Sequence, residues 1–522
     1  MMKVTVFSAA ADDVRVIRDA LRIYFPKIKL LKTKGKTEGS SLKKGQESFL
    51  ISKDNNELFE KSENEVLTTK EILFTVEKSE APQEIKVTLN FDGQRYSQAE
   101  RLPEETFSEE KTNRERRLLR LALHKVLERA LLVEPSPWGI LTGVRPAKIV
   151  YRFLDESLSE ERIMLHLTRD FGISWERARL LLKVAVFQYP FLPDKQENPK
   201  LVSLYIGIPF CPTRCHYCSF PSFSLEKWGN LLDGYLLGLG REIEAVGALL
   251  RDRGVKVQNI YLGGGTPTIL SEVQLEMLLK TIEDSFQFVA DRELTVEGGR
   301  PDTLTYGKLQ VLKAHQVTRL SINPQTMREE TLVAIGRRHT IQEILDAYEM
   351  AREIGFPVIN MDLIVGLPGE NCAILQNSME KVLQLAPENI TLHALAMKRG
   401  AYYHQENIKL PFPAEGQAMM NLAHHCLQDA GYFPYYLYRQ KDIFAQGENV
   451  GYSVAGNACL YNLQMIAERQ TILGFGVGAG SKFVNTEDWS LENLYNPKDI
   501  VFYLARLEKI IQQKVDKLQA IL

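Results

Sequence analysis

The chain of 522 residues carries no excess of charge of either sign: 64 Lys and Arg stand against 66 Asp and Glu, a formal net charge of −2. A protein that grips nucleic acid along a broad surface has a basic imbalance, so that class is excluded and no nucleic-acid partner is expected. Cysteine is scarce, six residues in all, too few to staple a chain of this length with disulfides. Long apolar runs are missing too. The strongest, Ile359 to Leu367, is strand-sized and interrupted by Asp362, so no membrane span is expected. The opening MMKVTVFSAAADDV has no charged n-region, extended apolar segment or cleavage site, and the expectation is a cytoplasmic protein with reduced thiols.

What is present is a pattern. Strand-like runs at 203–209, 257–264, 292–299, 319–325, 357–368 and 389–396 alternate with helical patterns at 231–251, 272–285, 304–315, 341–353 and 373–385. Such alternation predicts βαβ units, a parallel sheet and helices outside it, in the α/β class. Six units suit a partial (β/α)6 barrel, and the unusual residues after the strands (PFC, GGGTPT, Glu297, Gln325) would then face one mouth. Residues 1–195 read as a separate α+β domain of unassigned role, with a strand at VTVFSA, another at QEIKVTLNF, a helix at TNRERRLLRLALHKVLERALL and a turn-rich EPSPWGILTGVRP at 134–146. In it the Lys run from Lys27 to Lys44 reads as a solvated loop, Arg114 to Arg120 as the polar face of a helix, and 190–198 as a linker. Residues 196–400 are the expected core and 401–522 a smaller C-terminal module with an aromatic-rich run (431–441), a glycine-rich GFGVGAGS (474–481) and a closing helix.

Three of the six cysteines, Cys211, Cys215 and Cys218, fall within eight residues, while Cys372, Cys426 and Cys459 are scattered and are expected as buried small side chains. Thiolates spaced CxxxCxxC on one loop can hold three irons of a 4Fe–4S cube and leave the fourth iron without a protein ligand. Structural zinc is the competing use. It wants four closed ligands, and the nearby candidate, His216, adjoins Cys215 and would project away from it.

CxxxCxxC with Tyr217 before the last cysteine resembles the signature of the radical S-adenosylmethionine (SAM) superfamily. The resemblance implies that the open iron chelates SAM and that the cluster's electron cleaves it to a 5′-deoxyadenosyl radical; glycines 263–265 would let backbone N–H groups approach the methionine portion. YIGIPFCPTRCHYCSF (205–220), LGGGTPT (262–268), LTVEGGRPD (294–302), RLSINPQ (319–325), IGRRHT (335–340) and DLIVGLPGE (362–370) follow, in order, the pattern of the oxygen-independent coproporphyrinogen III oxidase family. PWGILTGVRPAK and YYLYRQK resemble its HemZ-type branch, the coproporphyrinogen dehydrogenases. By that resemblance the fold is a radical SAM barrel, and Tyr205, Gly264 and Glu297 contact the SAM on the cluster. Tyr217, Gly265, Thr266, Gln325, Arg337, Asp362 and Ala396 resemble positions that line a second SAM site, so one or two SAM molecules are implied.

The implied activity is oxidative decarboxylation of coproporphyrinogen III to protoporphyrinogen IX in haem synthesis, with a one-electron donor such as flavodoxin or ferredoxin. The family's fourth cysteine, two residues after the last ligand, is Phe220 here, as in the related haem-binding chaperone branch. A haem chaperone without dehydrogenase activity, and another radical SAM tetrapyrrole enzyme such as a ring-opening methyltransferase, are the alternatives. Arg300, Lys398, Arg399, Arg439 and Lys441 are candidate partners for the substrate's carboxylates. His393, at a strand end beside the mouth, either orients substrate or is a hydrogen-bonded core histidine.

Overall fold

The structure is a computed structural model. It describes residues 2–7, 11–24, 30–32, 46–51, 70–80, 83–104, 106–194, 200–396, 401–405, 413–440 and 443–521. Lys398, Arg399 and Lys441, part of the 190–198 segment and most of the Lys27–Lys44 run lie outside the described residues.

The chain divides into two compact units, Met1–Gly143 with Ile149–Leu182, and Val144–Lys148 with Lys183–Leu522. The first is built on a six-stranded sheet in which Met2–Phe7 pairs parallel with Lys70–Glu80 and antiparallel with Gln46–Ile51. Its core sets Val14, Ile17 and Leu21 of the helix Ala11–Tyr24 and Leu118, Leu119, Ala122 and Val126 of the helix Lys111–Leu131 with Ile72, Phe74, Val87 and Leu89 of the sheet. The arginine face expected at 114–120 is only partly solvated. Arg117 is buried, lies over the Phe107 ring and pairs with Glu109 at 3.1 Å, so its guanidinium packs as well as carries charge.

The second unit holds one eleven-stranded sheet. Its centre is six parallel strands in sequence order: Leu201–Ile208, Lys256–Gly264, Phe288–Glu297, Arg319–Ser321, Val358–Val365 and Asn389–Ala394. Several are buried nearly end to end, as parallel strands covered on both faces must be. The intervening helices begin where local chemistry starts them. Ser271 and Gln274 form a reciprocal capping box at Glu272–Ser285, Thr340 and Glu343 another at Ile341–Ile354, and Asn371 caps Cys372–Leu385. Gly355, at φ +87°, ends the second of these in the left-handed conformation that glycine takes without strain.

The strand order is open, and the C-terminal stretch occupies both of its edges. Thr471–Phe475 lies parallel to Leu201–Ile208 and is followed outward by Gly480–Val484 and Leu491–Tyr495. At the other edge Asn449–Ser453 and Phe433–Tyr438 pair antiparallel beyond Asn389–Ala394. The glycine-rich 474–481 segment is part of this closure. A Cβ on Gly476 would lie 2.2 Å from the Tyr235 hydroxyl, and the Gly476 N–H donates to the fully buried Glu242 at 2.9 Å. Glu242 also accepts from Tyr503, Asn496 and Lys514, tying the helix Leu232–Asp252 to the closing helix Leu507–Ile521.

Removing the charge of Lys514 strands a buried carboxylate. Lys514→Met is expected to cost about 3–5 kcal/mol, read as a shift in the denaturant midpoint; an unchanged midpoint would show that the pair does not hold the helix.

Candidate active site

The first core strand ends at Ile208 and delivers the chain through Pro209 into the cysteine loop, which four neighbours fix. Gly265 N–H donates to the Ile208 carbonyl and Thr266 N–H to that of Phe210, both at 2.8 Å. A Cβ on Gly265 would sit 2.5 Å from the Phe210 oxygen and 2.9 Å from the Cys211 sulfur, so only glycine lets the two loops approach this closely. The buried Arg300 donates through Nη1 to the carbonyl and hydroxyl of Thr213, at 3.1 and 2.7 Å, and through Nε to Asp302. The Asp302 carboxyl, which burial alone would raise, is held down to about 2 by His339 and Arg300. His216 donates from its backbone N–H to Ile335 and from its ring Nδ1–H to Ala334, and its ring fills the space left by Gly336, where a Cβ would meet it at 2.9 Å. Arg337, also buried, reaches Tyr217 Oη at 3.3 Å and the carbonyls of Asn323 and Gly299. His216 is thus committed to the 334–336 loop and is no fourth ligand.

All thirteen residues expected to hold the cluster or SAM line one cavity of about 780 Å³. Its wall includes Cys211, Cys215, Cys218, Tyr205, Tyr217, Gly264, Gly265, Thr266, Glu297, Gln325, Arg337, Asp362 and Ala396. Arg300, Arg439, His393 and Phe220 are in the wall too, and Phe220 is 62% exposed. One detail differs from the expectation. The N–H groups of Gly264, Gly265 and Thr266 are already engaged, the first with the Glu297 carboxylate, so toward a ligand these residues offer close approach. Of the scattered cysteines, Cys459 is buried, but Cys372 and Cys426 are only partly so, since each lies on a helix at the sheet's outer side.

Sequence reasoning missed Tyr261, Tyr436, Tyr438 and Tyr461, and Arg145 and Arg214, which also face the cavity. Strand register was the available signal for Tyr261, which pairs directly across from Tyr205. The rings of Tyr205, Tyr261 and Tyr461 stack, Tyr261 on Tyr461 at 4.7 Å between centroids.

The two acids in the wall are driven apart electrostatically. Burial pushes the Glu297 carboxyl up to about 7, with Asp362 adding to the rise and a 2.7 Å hydrogen bond from Tyr261 opposing it. Asp362 is equally enclosed, but hydrogen bonds from His393 and Asn360 outweigh burial and hold it below the usual range. His393, which burial would lower, is raised by the same Asp362 contact at 3.5 Å. His393 is therefore a partner of Asp362 in the cavity wall.

The donor set fits an iron–sulfur cube. Burial pushes the Cys211 thiol up to about 11 and raises Cys218 as well, and neighbouring thiolates push them further, so three thiolates here call for a compensating cationic centre. Among the described residues no three His, Cys, Asp or Glu converge on a point that would suit a single ion. A cube that gives each thiolate its own iron does not ask them to. Gln325 Oε1, Arg300 Nη2 and Arg337 Nε are buried without a protein partner among the described residues, which suits a polar ligand beside the cluster.

The open parallel sheet and this thiol-bearing mouth define a radical SAM protein, and residues 205–382 match the Radical SAM superfamily. The chain is 41% identical over 387 residues to the oxygen-independent coproporphyrinogen-III oxidase-like protein HemZ of Bacillus subtilis, covering 74% of this chain and 77% of that protein. It is 32% identical over 293 residues to the heme chaperone HemW of the same organism, 54% of this chain and 73% of the relative. Among solved structures, coproporphyrinogen III oxidase (HemN) from Escherichia coli, a radical SAM enzyme, superposes with TM-score 0.50 at 26% identity over 62% of this chain and 72% of that one. The chain belongs to the oxygen-independent coproporphyrinogen-III oxidase family of radical SAM proteins. Membership implies a 4Fe–4S cluster and SAM.

Two outcomes follow. Gly265→Ala, with every cysteine in place, and Cys215→Ser are both expected to purify anaerobically without the brown colour and iron content of the wild type; full iron in either would separate loop geometry or that ligand from cluster binding. Glu297 tests the electrostatics. A carboxyl with pKa about 7 when folded and near 4.5 when unfolded binds its proton more tightly in the folded state, so the empty protein loses stability as pH rises between those values. Glu297→Gln therefore gains stability relative to wild type through that window and levels off above it, and a difference independent of pH would assign the titration elsewhere.

Proposed function

We propose that the protein is an oxygen-independent coproporphyrinogen III dehydrogenase that converts two propionate side chains to vinyl groups, giving protoporphyrinogen IX. The observation that carries this reading is the composition of the cavity: three thiols, the residues of the SAM motifs, six tyrosines and five arginines share one wall system. A tetrapyrrole with four carboxylates asks for apolar aromatic faces for its rings and fixed cations for its acids, and arginine supplies both charge and orientation.

Each side chain loses one hydrogen atom, one CO2 and one electron. No acid or base among the side chains can break an unactivated propionate C–H bond, and the cluster with SAM, when bound, supplies the radical chemistry that can. Cys211, Cys215 and Cys218 hold the cluster, and Thr266 directs its hydroxyl at the Cys211 sulfur. Tyr205, Gly264 and Glu297 serve the SAM on the cluster, where Glu297 accepts from an ammonium or ribose hydroxyl group. Tyr217, Gly265, Thr266, Gln325, Arg337, Asp362 and Ala396 serve a second molecule, with the unpartnered Gln325 Oε1 and Arg337 Nε as its free polar contacts. A flavodoxin- or ferredoxin-like protein is the proposed electron donor, and the unit formed by Met1–Gly143 and Ile149–Leu182 has no role in this scheme.

One observation favours a second reading, haem binding without dehydrogenation. Phe220 stands exposed at the cavity wall in the position of the family's fourth cysteine, and HemW is described as a heme chaperone. Anaerobic incubation of reconstituted protein with coproporphyrinogen III, SAM and a reductant decides between them. Two CO2 and deoxyadenosine released per protoporphyrinogen formed is the expected result; stoichiometric haem binding with neither product would favour the chaperone.

A further inference from the structure

The turn-rich 134–146 segment has no part in the chemistry above, yet its end reaches the cavity. Val144–Lys148 belong to the cavity-bearing unit, Val144 accepts the backbone N–H of Arg439 at 2.7 Å, and Val144 and Arg145 both line the wall. Arg145 Nη1 lies 2.9 Å from Glu468 Oε1, and its Nε is buried without a partner among the described residues.

Glu468 is heavily subscribed. Lys148 Nζ is 3.0 Å from its Oε2 and Lys482 Nζ is 2.9 Å from its Oε1, so one carboxylate faces three cations. Burial, followed by the charge of Arg145, holds Lys482 down to about 8 even with the Glu468 carboxylate beside it. On the helix leading to Glu468, Met465 and Ile466 also line the cavity and bring apolar surface beside this positive excess.

We propose that Arg145 is a carboxylate-binding residue of the cavity, anchoring one acid side chain of an amphipathic polycarboxylate whose apolar body rests on Met465 and Ile466. The polycarboxylate's identity as a tetrapyrrole rests on the reading given under Proposed function. Arg145 keeps Glu468 on one side of its guanidinium, which fixes the plane that the ligand meets. Lys148 and Lys482 let Glu468 share its charge, so Arg145 is left only partly neutralised.

The test titrates full-length protein with coproporphyrin III, the fluorescent oxidised ring with four acids, and with its tetramethyl ester, the same ring without charge. Arg145→Gln is expected to weaken coproporphyrin III binding by roughly tenfold to a hundredfold, the range for a lost charged hydrogen bond. Ester binding and iron content should not change, and the gap should narrow with added salt. Arg145→Lys, which keeps the charge beside Glu468, should lose less and again only for the acid, and it carries the test if the glutamine variant fails to fold. Equal binding of the acid by wild type and Arg145→Gln overturns the inference, as does an equal loss of acid and ester, which would make Arg145 a shaping residue. A wild-type protein that binds neither porphyrin overturns the tetrapyrrole reading and this inference with it.

Discussion

The active site depends on a close approach that a single methyl group would forbid. The second core strand reaches the cysteine loop through Gly265, where backbone N–H and carbonyl groups meet at hydrogen-bond distance and a Cβ would crowd the Cys211 sulfur at 2.9 Å. The other restraints on the loop follow the same logic. Gly336 makes room for the His216 ring, and Arg300 takes hold of Thr213. A loop that must present three thiols to one object cannot tolerate rotational freedom, and here Thr213, His216 and Tyr217, between the cysteines, are each held.

The cavity combines two kinds of order. Aromatic rings give it shape: Tyr205, Tyr261 and Tyr461 stack as a block whose hydroxyl at Tyr261 is fastened to Glu297. Charge gives it direction. Glu297 sits at the edge of protonation while Asp362, not far along the wall, is fixed as an anion by His393, so two carboxyls in one enclosure answer differently to a cationic ligand.

Much of this was legible in the sequence because the information is local. Period marks the helices: the 272–285 expectation coincides with the observed helix, and the 341–353 expectation falls one residue short of Ile341–Ile354. The cysteine spacing and the ordered motifs point to one mouth, and the thirteen residues do meet there. What escaped is what depends on distant pairing. Nothing local says that Tyr436 and Tyr438 reach the cavity, because their strand joins the sheet antiparallel at its far edge. Nor does the run 134–146 reveal that Arg145 faces Glu468, more than three hundred residues away in the chain. The glycine N–H groups looked available to a ligand because a sequence does not show which acceptors will claim them.

The placement of the last strands at both sheet edges has a consequence for how the protein comes into being. The strand that leads into the cysteine loop obtains its outer neighbour only when Thr471–Phe475 has been synthesised, and the sixth core strand waits for Asn449–Ser453. Until nearly the whole chain has left the ribosome, two apolar strand edges stand open, one of them directly upstream of the reactive thiols. The neighbours that grip the cysteine loop itself, residues 265–337, are made earlier, but the strand that carries the loop is completed only by the far end of the chain.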